Sequence, residues 1–263
     1  MNVAEWKKAH GRFEGAGIVI TRPVGSGASL ARVVIAGGGR PVLLPGLALR
    51  SLPTDAARSA LAALGRRHVA IFTSPAAVRF AFALHPSLRV ARGSAFALGA
   101  GTARALARHG IDAVIPVGRS DSESLLALPQ LAKVRNRDFA LIGAPGGRDV
   151  IAPTLRRRGA HVERVDVYLR VPARLTRRHF DALEAAPDPL ITLVSSGDAL
   201  TQIVERVPPN LLERLQAHTL VVSSARLAGL AREAGFAEIA LARSALPRDL
   251  LAAAEATLAR HRL

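Results

Sequence analysis

The sequence predicts an α/β protein: two similar domains, each built on a parallel sheet, joined by a two-stranded linker with an active-site cleft between them. Three observations carry this reading. A unit of Ala/Leu/Arg-rich helix, glycine and short apolar strand recurs four times. Strand-to-helix turns bearing hydroxyl residues recur at matching places in the two halves. Two extended segments without helical periodicity mark where one half gives way to the other. Helices that alternate with strands imply parallel sheets, because a parallel strand needs a crossover connection.

In chain order, the first seventeen residues, MNVAEWKKAHGRFEGAG, carry charges and glycines where a secretory signal needs a continuous apolar segment. Residues 1–16 therefore read as a loose leader. The first recurring unit is LARVVIAGGGRPVLLP (Leu30 to Pro45), and its relatives span Thr102 to Val117, Thr154 to Tyr168 and Ala225 to Ala242. In each, a glycine (Gly39, Gly110, Gly159, Gly235) stands where a left-handed C-cap is wanted before the chain reverses into a strand. The second recurrence pairs AIFTSPAAVRF (Ala70 to Phe80) with LITLVSSGDAL (Leu190 to Leu200), and AFALGAGTARAL (Ala95 to Leu106) with TLVVSSARLAGL (Thr219 to Leu230).

The extended segments are PVLLPGLALRSLP (Pro41 to Pro53), whose prolines exclude a long helix, and VERVDVYLRVPAR (Val162 to Arg174), which alternates apolar and polar residues as a strand does. If they run side by side, residues 51–166 form an inserted domain, residues 1–44 and 172–263 form the other, and the linkers fall at about 45–50 and 167–171.

Composition narrows the function. Hydrophobic residues make up 49% and charged residues 21%, enough to bury a core. Arg79 breaks the apolar run from Phe72 to Leu84, and no stretch reaches the ~18 residues of a membrane span. The absence of cysteine excludes disulfides, thiolate catalysis and cysteine-bound metals, and points to the cytoplasm. Of 36 basic residues only Lys7, Lys8 and Lys133 are lysines, so the net charge of +16 is almost wholly guanidinium. Guanidinium suits carboxylates and phosphates, which makes an acidic small molecule or a nucleic acid the expected partner, although many arginines will simply solvate helix faces.

In a parallel α/β sheet the loops at the strand carboxyl ends converge on the ligand crevice. The sequence places hydroxyl and glycine residues at each such point: Thr21 and Arg22; Thr73 and Ser74; Gly101 and Thr102; Gly143, Gly147 and Arg148; Ser195 and Ser196; Ser223 and Ser224. Helix-terminal amides with a hydroxyl make an anion site, and the same residues serve equally as N-caps. The loop GAPGGRD (Gly143 to Asp149) lacks the Lys-Ser/Thr of a P-loop and the GxGxxG spacing. The eight histidines show no pair at ligand spacing, so no metal is expected, and no GxSxG elbow occurs. Tyr168, the only tyrosine, sits in the second extended segment, either as a proton donor or as an aromatic packed on a domain face.

The ordered series VITRP, LLP, IFTSPAAV, ALGAGTARAL, GAPGGRDVIAPTLRRRGAHVERVDVYLR, VSSGDAL and VVSSARLAGLAREAGF, from about Ile18 to Leu251, resembles the uroporphyrinogen-III synthases. The resemblance implies two α/β domains joined by a two-stranded ladder, and a cofactor-free enzyme of tetrapyrrole biosynthesis. Its substrate would be hydroxymethylbilane, whose acetate and propionate arms account for the arginine without nucleic acid. The implied reaction loses the terminal hydroxyl as water, forms an azafulvenium and then a spiro intermediate, and recloses with the distal ring inverted. Carried onto this sequence, Thr73, Ser74, Thr102, Ser195, Ser196 and Tyr168 face the substrate, with Tyr168 the preferred proton donor and Thr21 and Arg22 opposite. The sequence departs from the family pattern at VSSAR, with Ser223, Ser224 and Arg226 where others carry a Gly-Pro-Thr-Thr-like loop. A monomer is expected. The rivals are a two-domain binder or sensor of poly-acids without catalysis, and a nucleic-acid-binding protein, the latter disfavoured by an aromatic content of 4%.

Overall fold

The computed structural model describes residues 11–64, 68–117, 121–146 and 149–261. It is of the parallel α/β class expected from the helix–glycine–strand units. The chain divides into two compact units, Met1–Leu49 with Val171–Leu263, and Arg50–Arg170.

The first unit holds a five-stranded sheet in the order β11-β10-β9-β1-β2, built from β1 (Gly17–Ile20), β2 (Arg40–Leu43), β9 (Leu190–Val194), β10 (Thr219–Val222) and β11 (Ile239–Leu241). All its pairings are parallel, with Ile20 opposite both Leu43 and Leu193. Strand alternation sorts the core into two layers. Ile18, Ile20, Ile191, Leu193 and Val221 face one side, where α1 (Ala28–Ala36) supplies Leu30 and Val34 and α11 (Pro247–His261) supplies Leu250, Ala254 and Leu258. Val19, Leu190, Val194, Leu220 and Val222 face the other. They meet α7 (Arg177–Glu184), α8 (Gly197–Arg206), α9 (Pro209–Gln216) and α10 (Ala225–Glu233).

The second unit carries a four-stranded parallel sheet, β5-β4-β6-β7, from β4 (Val69–Phe72), β5 (Ala95–Ala97), β6 (Asp138–Gly143) and β7 (His161–Asp166). Val69, Ile71, Phe96, Phe139 and Leu141 pack against α5 (Ser122–Leu126), a 3-10 turn at Pro129–Leu131 and α6 (Ile151–Arg157). The remaining helices of this unit are α2 (Asp55–Ala63), α3 (Pro75–Leu84) and α4 (Ala100–Ala107). A parallel bridge from Phe96 to Val114 occupies the place of a fifth strand. With that bridge counted, the two sheets share one order: β9, β10 and β11 correspond to β4, β5 and Val114, and β1 and β2 to β6 and β7. The two parts occur in opposite chain order, so each unit is a permuted version of the other.

β3 (Leu47–Ser51) and β8 (Tyr168–Pro172) form a two-stranded sheet of their own. Each expected extended segment is thus broken in two. Pro41–Pro53 divides between β2 and β3 at Leu44–Gly46, and Val162–Arg174 divides at Val167 between the edge of a sheet and β8.

Three expectations are corrected. Residues 11–16 are not loose, because Phe13 is 1% exposed and packs with Ile18 and Leu30. Its N–H donates to Gly37 O at 2.8 Å, and the turn that carries it closes through Ala16 N–H to Phe13 O at 2.9 Å. Residues 1–10 of the expected leader lie outside the described residues. The left-handed glycine after α1 is Gly38 (φ 80°), not Gly39, which is pressed so close to Phe13 that a Cβ would meet the Phe13 Cβ at 2.6 Å. Gly110, Gly159 and Gly235 do adopt positive φ. The strand expected after Gly110 shrinks to the Val114 bridge, since Pro116 has no N–H for the ladder.

Candidate active site

In the second unit the chain leaves β4 toward β5 and leaves β6 toward β7, so the junction of β4 and β6 is the topological switch point. Thr73 and Ser74 end β4 there. The Thr73 hydroxyl donates to Ile142 O at 3.1 Å, and it stands 2.6 Å from where a Cβ on Gly143 would fall, so this approach requires a glycine. Ser74 is extended (φ −162°) and caps α3, accepting the Ala77 N–H at 3.0 Å, while Pro75 begins the helix at a position that needs no donor.

Tyr168 opens β8 and is 3% exposed. Its ring stacks on Phe80 at 5.2 Å, and its hydroxyl lies 3.2 Å from Ser74 Oγ. The Arg79 guanidinium sits 4.8 Å over the Phe80 ring. Ser74, but not Tyr168, lines a cavity of about 280 Å³ at the strand carboxyl ends, where Thr73, Asp121, Asp149, Arg164, Asp166 and Arg170 share the wall with apolar residues such as Leu98 and Leu141. Arg164 pairs with Asp149 at 2.8 Å and approaches Asp166 at 4.0 Å. These half-exposed pairs contribute little stability and chiefly fix the orientation of the cavity wall.

The first unit repeats the plan at the junction of β1 and β9, which is its switch point. The buried Thr21 hydroxyl donates to Leu193 O at 2.7 Å. Ser196 caps α8 through Ala199 N–H at 3.4 Å, and Ser224 caps α10 through Leu227 N–H at 3.3 Å. Arg22 follows Thr21; burial lowers its pKa, and its Nη1 is enclosed without a hydrogen-bond partner among the described residues.

Within each hydroxyl pair the capping role falls to one residue. Ser74, Ser196 and Ser224 are N-caps. Their neighbours Thr73, Ser195 and Ser223 are not, and Thr73 ties two strands together instead. Gly101 lies in the first turn of α4, where a Cβ would stand 3.6 Å from Pro75. Thr102 is buried one residue on and does not line the cavity. Thr73, Ser74 and Tyr168 are therefore brought together in one unit, with Gly101 adjoining, while Thr21, Arg22, Ser195, Ser196, Ser223 and Ser224 belong to the other. Gly147 and Arg148 lie outside the described residues.

Sequence reasoning missed Phe80, Asp121, Arg164, Asp166 and Arg170. The polar positions of the alternating segment Val162–Arg174 carried a signal for three of them, and Asp121 showed itself only as the helix-opening residue of DSES. Among the described residues, no group of three or more His, Asp or Glu side chains is placed to hold a metal ion, and no helix is long and apolar enough to cross a membrane.

The fold and these strand ends define a two-unit parallel α/β protein that gathers hydroxyls, helix termini and guanidinium at the switch point of each sheet. A family model described as uroporphyrinogen-III synthase HemD matches residues 28–252. The chain belongs to that family. It is 35% identical to the uroporphyrinogen-III synthase of Salmonella typhimurium over 245 residues, covering 87% of this chain and 95% of the relative. It is also 35% identical to that of Escherichia coli over 195 residues, 70% of this chain and 77% of the relative. A mutant uroporphyrinogen III synthase from the extremely thermophilic bacterium Thermus thermophilus has the same fold, with a TM-score of 0.59 at 20% identity over 93% of this chain and 99% of that one.

Proposed function

We propose that the chain closes hydroxymethylbilane into uroporphyrinogen III with loss of water and inversion of the distal ring, and that Tyr168 gives the proton to the departing hydroxyl. Membership of the family supports the reaction, and one observation supports the assignment of the donor: the Tyr168 hydroxyl is held at 3.2 Å from Ser74 Oγ, and Ser74 lines the cavity at the strand carboxyl ends. Ser74 Oγ already accepts the Ala77 N–H. Its own proton is free to go to Tyr168 Oη, which leaves the phenolic proton to point at substrate. Stacking on Phe80 fixes the ring plane, and with Ser74 donating on one side the phenolic proton turns to the other.

The terminal C–O bond breaks as the hydroxyl takes that proton and leaves as water. The azafulvenium so formed is attacked by the distal ring, and the spiro intermediate fragments and recloses. Loss of a proton from the reclosed ring restores the donor, so the sum is substrate to product plus water, with no cofactor required. Unguided closure gives the uninverted isomer, so holding the bilane in one curled shape is the principal task. We assign that task to Thr73, Ser74, Gly101, Thr102, Gly147 and Arg148 with Thr21, Arg22, Ser195, Ser196, Ser223 and Ser224. In this reading the enzyme works in the cytoplasm as a monomer on a small-molecule poly-acid, without nucleic acid.

The test is to supply the purified protein with freshly generated hydroxymethylbilane, oxidise the products and separate the uroporphyrin isomers by chromatography. Predominantly isomer III, without any added cofactor, is expected. Isomer I alone from folded protein would overturn the reading.

A further inference from the structure

Guanidinium groups that enter this fold are as a rule met by carbonyl oxygens. Arg40 donates to Ala185 O at 2.8 Å, and Arg158 to Leu126 O and Leu131 O at 2.8 and 2.7 Å. Arg214 donates to Leu183 O at 2.6 Å, Ala186 O at 2.7 Å and Asp188 Oδ1 at 2.8 Å. Arg22 differs: its Nη1 is enclosed by protein and has no hydrogen-bond partner among the described residues. Arg22 is half-buried, and enclosing one nitrogen of a cation without a hydrogen-bond partner costs folding free energy, so an arginine kept in that state needs a reason outside the fold.

Its place supplies one. The β1–β9 register ends at Ile20 opposite Leu193, and Arg22 follows β1 by two residues at the carboxyl end of that strand, at the switch point of the five-stranded sheet. In the same unit, at the first turn of α8, both terminal nitrogens of Arg226 lie within 3.7 Å of where a Cβ on Gly197 would stand, so a further guanidinium lies at a strand-to-helix turn. Burial lowers the pKa of Arg22, the direction expected for a cation waiting for its anion.

We propose that Arg22 is a carboxylate receptor, its fork reserved for one acetate or propionate arm of the substrate. The assignment rests on the poly-acid reading above and sharpens it: Arg22 binds and positions, and takes no part in proton transfer. A guanidinium–carboxylate fork forms paired charge-assisted hydrogen bonds, and in this setting the substrate satisfies a group that the protein leaves unsatisfied.

The test compares the whole protein with Arg22→Met, which keeps the stem and removes the charge, and Arg22→Lys. KM and kcat are measured with hydroxymethylbilane, anaerobic affinity with uroporphyrinogen III, and thermal midpoint without ligand. Arg22→Met is expected to raise KM and weaken product binding by about 10- to 100-fold, with a smaller effect on kcat. Its thermal midpoint should hold or rise, because an uncompensated charge has been removed. Arg22→Lys should fall between the two in affinity. Unchanged KM and affinity would overturn the proposal, and so would a lowered midpoint or failure to fold, since either marks a structural partner for Arg22. A wild-type protein that binds uroporphyrinogen III through Arg22 yet makes none would remove the synthase reading and leave the receptor. Isomer III from both wild type and an unaffected Arg22→Met would do the reverse.

Discussion

At the scale of single residues, Tyr168 makes two contacts that one substitution separates. Tyr168→Phe keeps the stack on Phe80 and removes only the hydroxyl beside Ser74. Turnover is expected to fall about 100-fold or more, the lower range for a lost general acid, with little change in the denaturation midpoint. Single-turnover kinetics beside a denaturant titration checks both, and unchanged kinetics would remove Tyr168 from the mechanism. Phe13 has the opposite character. Its ring is 1% exposed within the layer of Ile18, Ile20 and Val34, so Phe13→Ala should cost about 3–5 kcal/mol of stability, read by denaturant unfolding. Composition around Phe13, with glycine and charge on both sides, resembles that of a disordered tail. What the sequence does not display is that Gly11 and Gly15, at φ 92° and 73°, are turn formers that fold the phenylalanine inward. The arginines show a similar limit: Arg158, Arg214 and Arg22 are indistinguishable in sequence, and only the carbonyls around the first two set them apart from the third.

At the scale of elements, the strand-to-helix turns are legible in the sequence and the division of labour within them is not. The pairs Ser195–Ser196 and Ser223–Ser224 look alike in one dimension, yet an N-cap must stand three residues before the amide that it accepts, and only the second serine of each pair meets that spacing. Ser224→Ala should therefore cost about 1 kcal/mol, while Ser223→Ala should leave stability unchanged. Urea unfolding of the two variants distinguishes them. Likewise the helix–glycine–strand unit is legible at Gly159 and Gly235, but after Gly110 the strand cannot extend past Val114 because of Pro116. An apolar run signals a strand, and it does not reveal whether a partner edge is there to receive every amide.

At the scale of the whole molecule, the parallel α/β class follows from alternation alone, since short apolar strands between helices leave few other ways to bury both faces of a sheet. The permuted relation of the two sheets does not, because it depends on strand order, which no local pattern encodes. One expectation belongs here. Residues from Arg50 to Arg170 are contiguous in sequence, have their own hydrophobic layers, and begin and end in the paired strands β3 and β8. A fragment of this span is expected to fold alone and unfold cooperatively, and calorimetry with amide hydrogen exchange checks it. A fragment without protected amides would mean that its core depends on the rest of the chain.

The route of the chain through β1 and β9 also governs how the protein answers a pull. Both ends of the described chain belong to the unit held together by the parallel β1–β9 ladder, while residues 50–170 sit between those two strands in sequence. Tension on the N-terminal end reaches β1 at once, whereas tension on the C-terminal end must work through α11, β11 and β10 before it reaches β9, and until the β1–β9 ladder parts the inserted unit is shielded from the load. A translocating protease that engages either end would thus meet its resistance in one sheet and reach the cavity-bearing unit last.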